Sequence, residues 1–152
     1  MAPSPERSIA NLVHALAEAV DDADGDRIEA LFGDATFTMA GGTPREGGAA
    51  FREVIERGML THDGSPRTLH QVSNLAIEVD PSGETASGRA RITVLQQVPA
   101  TDDRAAFPLQ PVLVGRYEDR YRRDADGTWR FASRVMHVDL LGDTSFHTRN
   151  RL

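Results

Sequence analysis

The spacing of apolar residues changes once along this chain, and that change constrains the fold more than any other feature. Up to about residue 60, apolar residues recur three and four positions apart, which indicates amphipathic helices. The first such stripe comprises Ile9, Leu12, Val13, Leu16 and Val20. From Thr68 onward, apolar and polar residues alternate, which is the period of strands. Helices followed by a run of antiparallel strands predict an α+β fold, with the helices on one face of a curved sheet.

The predicted order of elements is helix, helix, strand, helix and then four long strands. The long strands are expected at 69–79, 85–98, 112–123 and 128–138, the first with a bulge. Residues 99–108 form an irregular stretch rich in charge, alanine and proline. We expect one domain over residues 1–152, with a core at about 8–139. The polar tail at 140–152 is expected to be less ordered, apart from a docked Phe146.

Composition excludes several classes of site and partner. The 152 residues include no cysteine, which excludes disulfides and thiolate metal sites. A net charge of −6 argues against a nucleic-acid partner. Apolar runs are far shorter than the roughly 20 residues that span a bilayer, and a signal-peptide core is absent. The sequence also lacks metal-binding His-Glu-x-x-His spacing and phosphate-binding glycine loops. We therefore expect a cytoplasmic protein with no membrane partner, no metal and no cofactor.

Four segments, taken in order, resemble a known superfamily. They are Ala19–Asp26 with Ala30–Ala35, Gly47–Phe51, Leu69–Leu75, and Val114–Tyr121 with Gly127–Phe131. They resemble the SnoaL-like branch of the nuclear transport factor 2-like superfamily, close to scytalone dehydratase and hexachlorocyclohexane dehydrochlorinase. The resemblance implies a cone-shaped, curved, mixed or antiparallel sheet, with three helices packed on its concave face around one pocket. It also implies a homodimer, with a trimer as the other option.

The resemblance places Asp21 and His70 at two catalytic positions. In the dehydratase and dehydrochlorinase members, a carboxylate at the end of the first helix bonds a histidine on the sheet. A neutral imidazole can accept a proton near neutral pH, and a buried carboxylate on its other nitrogen fixes the tautomer. The alternative is that His70 is an ordinary edge or core residue and that Asp21 merely ends a helix.

Two further residues are candidates for electrophilic helpers. The resemblance implies that Arg134 enters the pocket and holds developing negative charge. Equally, Arg134 could pair with an acidic residue on a neighbouring strand. The hydroxyl of Tyr117 could donate to a substrate oxygen, or its ring could simply form a wall. The expected apolar lining, which serves equally as core, comprises Phe37, Met39, Phe51, Ile55, Met59, Leu95 and Val114.

These residues favour a cofactor-independent lyase or isomerase, of the dehydratase or β-elimination type, acting on a small hydrophobic molecule. The alternatives are a non-catalytic binding or assembly module and a polyketide cyclase-like accessory protein. The residue sets of ketosteroid isomerase and limonene epoxide hydrolase cannot be placed on this sequence. An open cavity with Asp21 and His70 in contact would favour the enzyme, whereas a filled cone would favour the module.

Overall fold

In the computed structural model, residues 3–39, 41–98 and 108–149 are described; the predicted irregular stretch lies almost entirely outside them. Three helices and one open six-stranded sheet make up these ranges, which confirms the predicted α+β class. None of these helices is long and apolar enough to cross a membrane. The elements are α1 (Pro5–Asp21), α2 (Gly25–Phe32), β1 (Thr36–Met39), β2 (Arg45–Glu46), α3 (Gly48–Gly58), β3 (Thr68–Val79), β4 (Thr85–Gln97), β5 (Leu109–Arg123) and β6 (Trp129–Leu141).

The sheet is mixed, with the strand order β2-β1-β6-β5-β4-β3. Strands β3 to β6 form an antiparallel meander, as their alternating sequence predicts. The short strand β1 is parallel to β6, and the two-residue strand β2, which was not predicted, pairs with β1 at the edge of the sheet. The four long strands therefore form most of the sheet on which the helices pack.

Helix α1 follows its sequence signals closely. The Ser4 hydroxyl caps the helix by accepting from the Arg7 backbone N–H at 3.3 Å, and Pro5 occupies the first turn. The apolar stripe is buried, with Ile9 and Val13 at 0% exposure. The helix packs against β3 and ends at Asp21. Its C-terminal end therefore brings a carboxylate to the start of β3.

The predicted bulge in β3 is confirmed, and side chains both before and after it face the core. Pairing with β4 shifts between Ser73 and Ala76, and Asn74 has a φ of 50°. Before the bulge, side chains at even-numbered positions are less exposed than those at odd-numbered positions. After the bulge, the odd-numbered Ile77 and Val79 pack on the core. One extra residue changes which face each later side chain occupies.

An aromatic cluster fills the interior between α2, α3 and the sheet. The Phe32 ring lies 4.5 Å from Phe51, 5.6 Å from Phe131 and 6.4 Å from Phe37, measured between ring centres. Aromatic pairs in this range contribute beyond their buried area. The cluster therefore holds α2 and α3 against the sheet.

Helices α2 and α3 approach closely at Gly48, the first residue of α3. A Cβ atom there would overlap the backbone carbonyl of Glu29 in α2. Overpacking of this kind costs about 1–3 kcal/mol, so we expect Gly48→Ala to lower the free energy of unfolding by that amount in urea denaturation. Gly58→Ala is the control: no heavy atom outside its own turn lies within 4 Å, so it should be neutral or slightly stabilising. Equal effects of the two substitutions would contradict the close approach.

Candidate active site

A cavity of about 160 Å³ lies between α1, α3 and the face of the sheet on which the helices pack. Its wall is mostly apolar, with a few polar side chains from the sheet and from the C-terminal segment. Three of the four predicted catalytic residues line it, namely His70, Tyr117 and Arg134; the fourth, Asp21, lies directly behind His70. The residues that line the cavity are Leu16, Ala17, Val20, Phe37, Met39, Phe51, Val54, Ile55, Gly58, Met59, His70, Val94, Leu113, Tyr117, Arg134, Met136, His147 and Thr148.

Asp21 and His70 meet in a hydrogen bond of 2.6 Å between Oδ1 and Nδ1. The second carboxylate oxygen accepts from the His70 backbone N–H at 2.8 Å. Oδ1 also accepts from the Thr68 hydroxyl at 3.0 Å. Both side chains are largely shielded from solvent, with 15% of Asp21 and 12% of His70 exposed. The carboxylate is therefore fixed by three donors, all from the first three residues of β3.

This arrangement selects one tautomer of His70. A carboxylate accepts hydrogen bonds only, so the neutral imidazole must carry its proton on Nδ1. The lone pair then resides on Nε2, at the opposite edge of a ring that lines the cavity. The geometry thus supplies what a general base in this cavity needs: an unprotonated nitrogen and a fixed ring.

Arg134 satisfies both of the alternatives that the sequence left open. It lines the cavity, and its Nε and Nη2 each donate to the Asp119 carboxylate of the adjacent strand at 2.8 Å. Tyr121 donates to the same carboxylate at 2.8 Å. Burial lowers the pKa of Arg134, but Asp119 more than offsets this, so the pKa is raised and the cation is retained. Two of the three guanidinium nitrogens therefore already donate to Asp119.

Tyr117 lies beneath the guanidinium, with the Arg134 Cζ atom 3.8 Å from the centre of the tyrosine ring. Such stacking is a cation–π contact. Burial raises the pKa of Tyr117, so the hydroxyl keeps its proton at neutral pH. The side chain can therefore form a wall and still offer a donor, which leaves both predicted roles open to it.

Five of the seven predicted lining residues line the cavity: Phe37, Met39, Phe51, Ile55 and Met59. The predictions for Leu95 and Val114 were wrong. Side chains alternate along a strand, and the wall is formed instead by their neighbours Val94 and Leu113, which are directly paired between β4 and β5. Leu95 and Val114 lie on the opposite face.

His147, which was not among the predicted site residues, lines the cavity and is only 7% exposed. It lies in the tail that was expected to be less ordered. Instead β6 extends to Leu141, and the following residues pack back on the domain. The His147 carbonyl accepts from the Leu60 N–H at 2.8 Å, and the Phe146 carbonyl accepts from the Gln96 side chain at 2.8 Å. Docking therefore relies on the backbone of the tail, while the Phe146 side chain stays 39% exposed.

Burial, and then the neighbouring His70, lower the pKa of His147 to about 4. Its imidazole is consequently neutral at physiological pH. The two imidazole rings are 6.5 Å apart between centres. Within the described ranges, no three His, Asp or Glu side chains cluster as metal ligands would. The polar groups of the cavity are thus suited to proton transfer and hydrogen bonding.

Solved structures with this fold are numerous, and their identity to this chain is low. A protein of unknown function from Mycobacterium tuberculosis is 25% identical, with a TM-score of 0.69 over 90% of this chain and 73% of that chain. A candidate dehydratase of the nuclear transport factor 2-like family from Streptomyces avermitilis is 16% identical, with a TM-score of 0.67 over 90% and 99%. A ketosteroid isomerase-like protein from Erwinia carotovora is 17% identical, with a TM-score of 0.62 over 88% and 95%.

Among functionally curated proteins, none matches the chain. The SnoaL-like domain family, by contrast, matches residues 4–135, which include all of the helices and most of the sheet. The match covers the segments that resemble the family in sequence, and the solved structures agree with it in fold. The chain therefore belongs to the SnoaL-like domain family.

Proposed function

We propose that the protein is a cofactor-independent lyase or isomerase that removes a proton from a small cyclic substrate. The observation that carries this proposal is the 2.6 Å bond between Asp21 and His70 in the wall of an apolar cavity. A buried carboxylate that orients an imidazole is the usual arrangement for activating a general base. The open cavity supports the enzyme over the binding or assembly module, for which a filled interior was expected.

In the proposed reaction, His70 Nε2 takes a proton from a carbon next to a carbonyl group. The electrons of the broken C–H bond pass to the carbonyl oxygen as an enolate, and Asp21 stabilises the imidazolium that forms. When a hydroxyl group is present on the β-carbon, its C–O bond breaks, and the proton held by His70 leaves with it as water. The product is a conjugated enone. When a double bond joins the β- and γ-carbons instead, removal of the α-proton gives a dienolate, and return of the proton to the γ-carbon gives the conjugated isomer.

Tyr117 and Arg134 fill different supporting roles in this proposal. The protonated Tyr117 hydroxyl can donate to a substrate oxygen. Arg134 already forms an ion pair with Asp119, so we propose that its main role is to hold the Tyr117 ring in the cavity wall. Two structural neighbours are named a candidate dehydratase and a ketosteroid isomerase-like protein, which is consistent with proton abstraction.

The cavity volume bears on the size of the substrate. A buried cavity of about 150 Å³ is known to accommodate benzene. The cavity here has about 160 Å³. We therefore propose a single ring with small substituents as the substrate.

The test is dehydration of 3-hydroxycyclohexanone and related small cyclic β-hydroxy ketones, followed by the ultraviolet absorbance of the enone. We expect turnover by the wild-type protein and a loss of about 10²–10⁴-fold in His70→Ala, because a general base contributes that much. His14→Ala is the matched control, since His14 is an exposed histidine of α1. Equal rates in wild type and His70→Ala, with circular dichroism unchanged, would remove the proposal.

The homodimer stays a prediction, and one surface feature supports it. Four exposed leucines lie at one end of the sheet, where β3 and β5 begin and β6 ends: Leu69, Leu109, Leu140 and Leu141. Their exposed fractions range from 50% to 68%. Exposed apolar side chains at one end of a sheet can contribute to an interaction surface.

A further inference from the structure

His147 shares the cavity with His70 but has no role in the proposed base pair. Its imidazole reaches the cavity from a segment far away in the sequence, after the last strand. Histidine is the side chain that most often acts in proton transfer and hydrogen bonding at catalytic sites. A second buried imidazole in a small apolar cavity therefore calls for a chemical explanation.

The main chain holds His147 in place on two sides. Its carbonyl accepts from Leu60 just after α3, and the next residues bond back to the end of that helix, with the Arg149 N–H donating to the Gly58 carbonyl at 2.9 Å. The preceding carbonyl, of Phe146, accepts from Gln96 at 2.8 Å and contacts His62 Nε2 at 2.9 Å. Groups fixed before substrate binds need no reorganisation during the reaction.

His70 and His147 both line the cavity, and their ring centres are 6.5 Å apart. Rings at this distance pack against each other, so a substrate atom does not fit directly between them. A ligand in the cavity can instead contact both rings from the cavity side. A carbonyl oxygen and its α-carbon are two bonds apart, so one ligand can place the oxygen at His147 and the α-carbon at His70.

The state of His147 suits a donor. Because it is neutral near pH 7, it adds no charge that would repel an imidazolium forming on His70. Within the described part of the chain, its Nδ1 is buried without a hydrogen-bond partner. A neutral imidazole with its proton on Nε2 can donate to the developing oxyanion, as a neutral histidine does in triosephosphate isomerase, an example from another fold.

We propose that His147 is a second catalytic residue, which donates a hydrogen bond from Nε2 to the carbonyl oxygen of a monocyclic ketone while His70 removes the α-proton. This inference rests on the proposed function, because it names the electrophilic partner of the same base. No further co-reactant is needed: the electrons of the C–H bond move to the oxygen that His147 bonds, and the proton moves to His70. The substrate class is therefore a six-membered ring ketone rather than a purely apolar ring.

The test compares two probes of nearly equal shape, phenol and toluene, by NMR titration of the full chain. Phenol mimics the planar enol, and toluene replaces its hydroxyl by a methyl group. Toluene is the more hydrophobic, so an apolar pocket alone would favour it. We expect wild type to favour phenol, and His147→Leu to weaken phenol binding about 2- to 13-fold relative to toluene, which is the range for one neutral hydrogen bond.

His147→Gln is the companion variant, because its amide can still donate and should retain most of the preference for phenol. A preference for phenol that persists in His147→Leu, or wild-type binding of toluene as tight as that of phenol, would overturn the inference. His70→Ala separates the two proposals. His70→Ala should keep the preference for phenol if His147 binds the oxygen. If it does, but the wild-type protein turns over no ketone, the proposal that His70 is a base fails and the oxygen-binding role of His147 stands.

Discussion

Replacing Asp119 by alanine is expected to lower the free energy of unfolding by about 3–5 kcal/mol, the loss typical when one partner of a buried ion pair is removed. The Asp119 residue is 3% exposed, and its carboxylate accepts two bonds from Arg134 and one from Tyr121. Without it, the Arg134 cation stays buried between Tyr117 and Phe131 with no opposite charge. The measurement is urea denaturation at pH 7.

The matched control is Asp34→Ala, which removes an exposed ion pair of the same length. Asp34 Oδ1 lies 2.8 Å from Arg122 Nη2, but 76% of the Asp34 side chain is exposed, so we expect a loss below about 1 kcal/mol. The double variant Asp119→Ala with Arg134→Met should regain part of the loss, because it also removes the unpaired charge. A loss for Asp119→Ala no greater than that for Asp34→Ala would contradict the account.

Asp21→Asn is the second substitution with a large expected effect, here on catalysis. The amide group would place an N–H donor beside His70 Nδ1, where the carboxylate oxygen now accepts at 2.6 Å. Nδ1 would then accept, and the imidazole proton would move to Nε2. A base with a proton on its reacting nitrogen cannot act, so kcat for the dehydration is expected to fall by about 10³–10⁴-fold. The fold should persist, because the shape of the side chain is unchanged.

Thr68→Val provides the control for this substitution. It removes one of the three donors to Asp21, the hydroxyl at 3.0 Å, but leaves the carboxylate itself in place. One neutral hydrogen bond is worth about 0.5–1.5 kcal/mol, so kcat should fall by no more than about 13-fold. Similar losses in Asp21→Asn and Thr68→Val would mean that the carboxylate contributes rigidity rather than the choice of tautomer.

The Asp21–His70 contact was predictable only in part from local patterns. The apolar stripe of α1 places Asp21 at the end of the helix. Leu69 and Val72 fall on opposite faces of β3, so alternation alone does not assign His70 to the inner face. The family resemblance supplied the remaining step, that these two ends meet. The contact itself, between residues 49 positions apart, is not visible in either pattern alone.

The error at Val114 could have been avoided. Val114 and Tyr117 are three positions apart on β5, so alternation places them on opposite faces, and both could not line one cavity. The same holds for Leu95. Its neighbour Val94 is equally apolar, but Ala90, Ile92 and Val94 alternate with Arg89, Arg91 and Thr93, so alternation places Val94 on the inner face and Leu95 on the outer one.

His147 could not have been found from sequence by the same reasoning. The tail after Leu141 is polar and has neither a helical nor a strand period. Its position depends on backbone bonds to Leu60 and on the Gln96 side chain, both far away in the chain. Similarly, the pairing of Arg134 with Asp119 depends on the register of β5 and β6, where a bulge lies between Arg120 and Tyr121. Long-range register is set by packing and not by local pattern.

The tautomer of His70 is the most direct test of its proposed role as the base. Nitrogen-15 NMR on the imidazole distinguishes a ring nitrogen that carries a proton from one that does not. At a pH where the ring is neutral, the wild-type protein should show the proton on Nδ1 and an unprotonated Nε2, and Asp21→Asn should reverse the two. A wild-type His70 with its proton on Nε2 would contradict the proposal, because the nitrogen that is not bonded to Asp21 would then have no lone pair with which to take a proton.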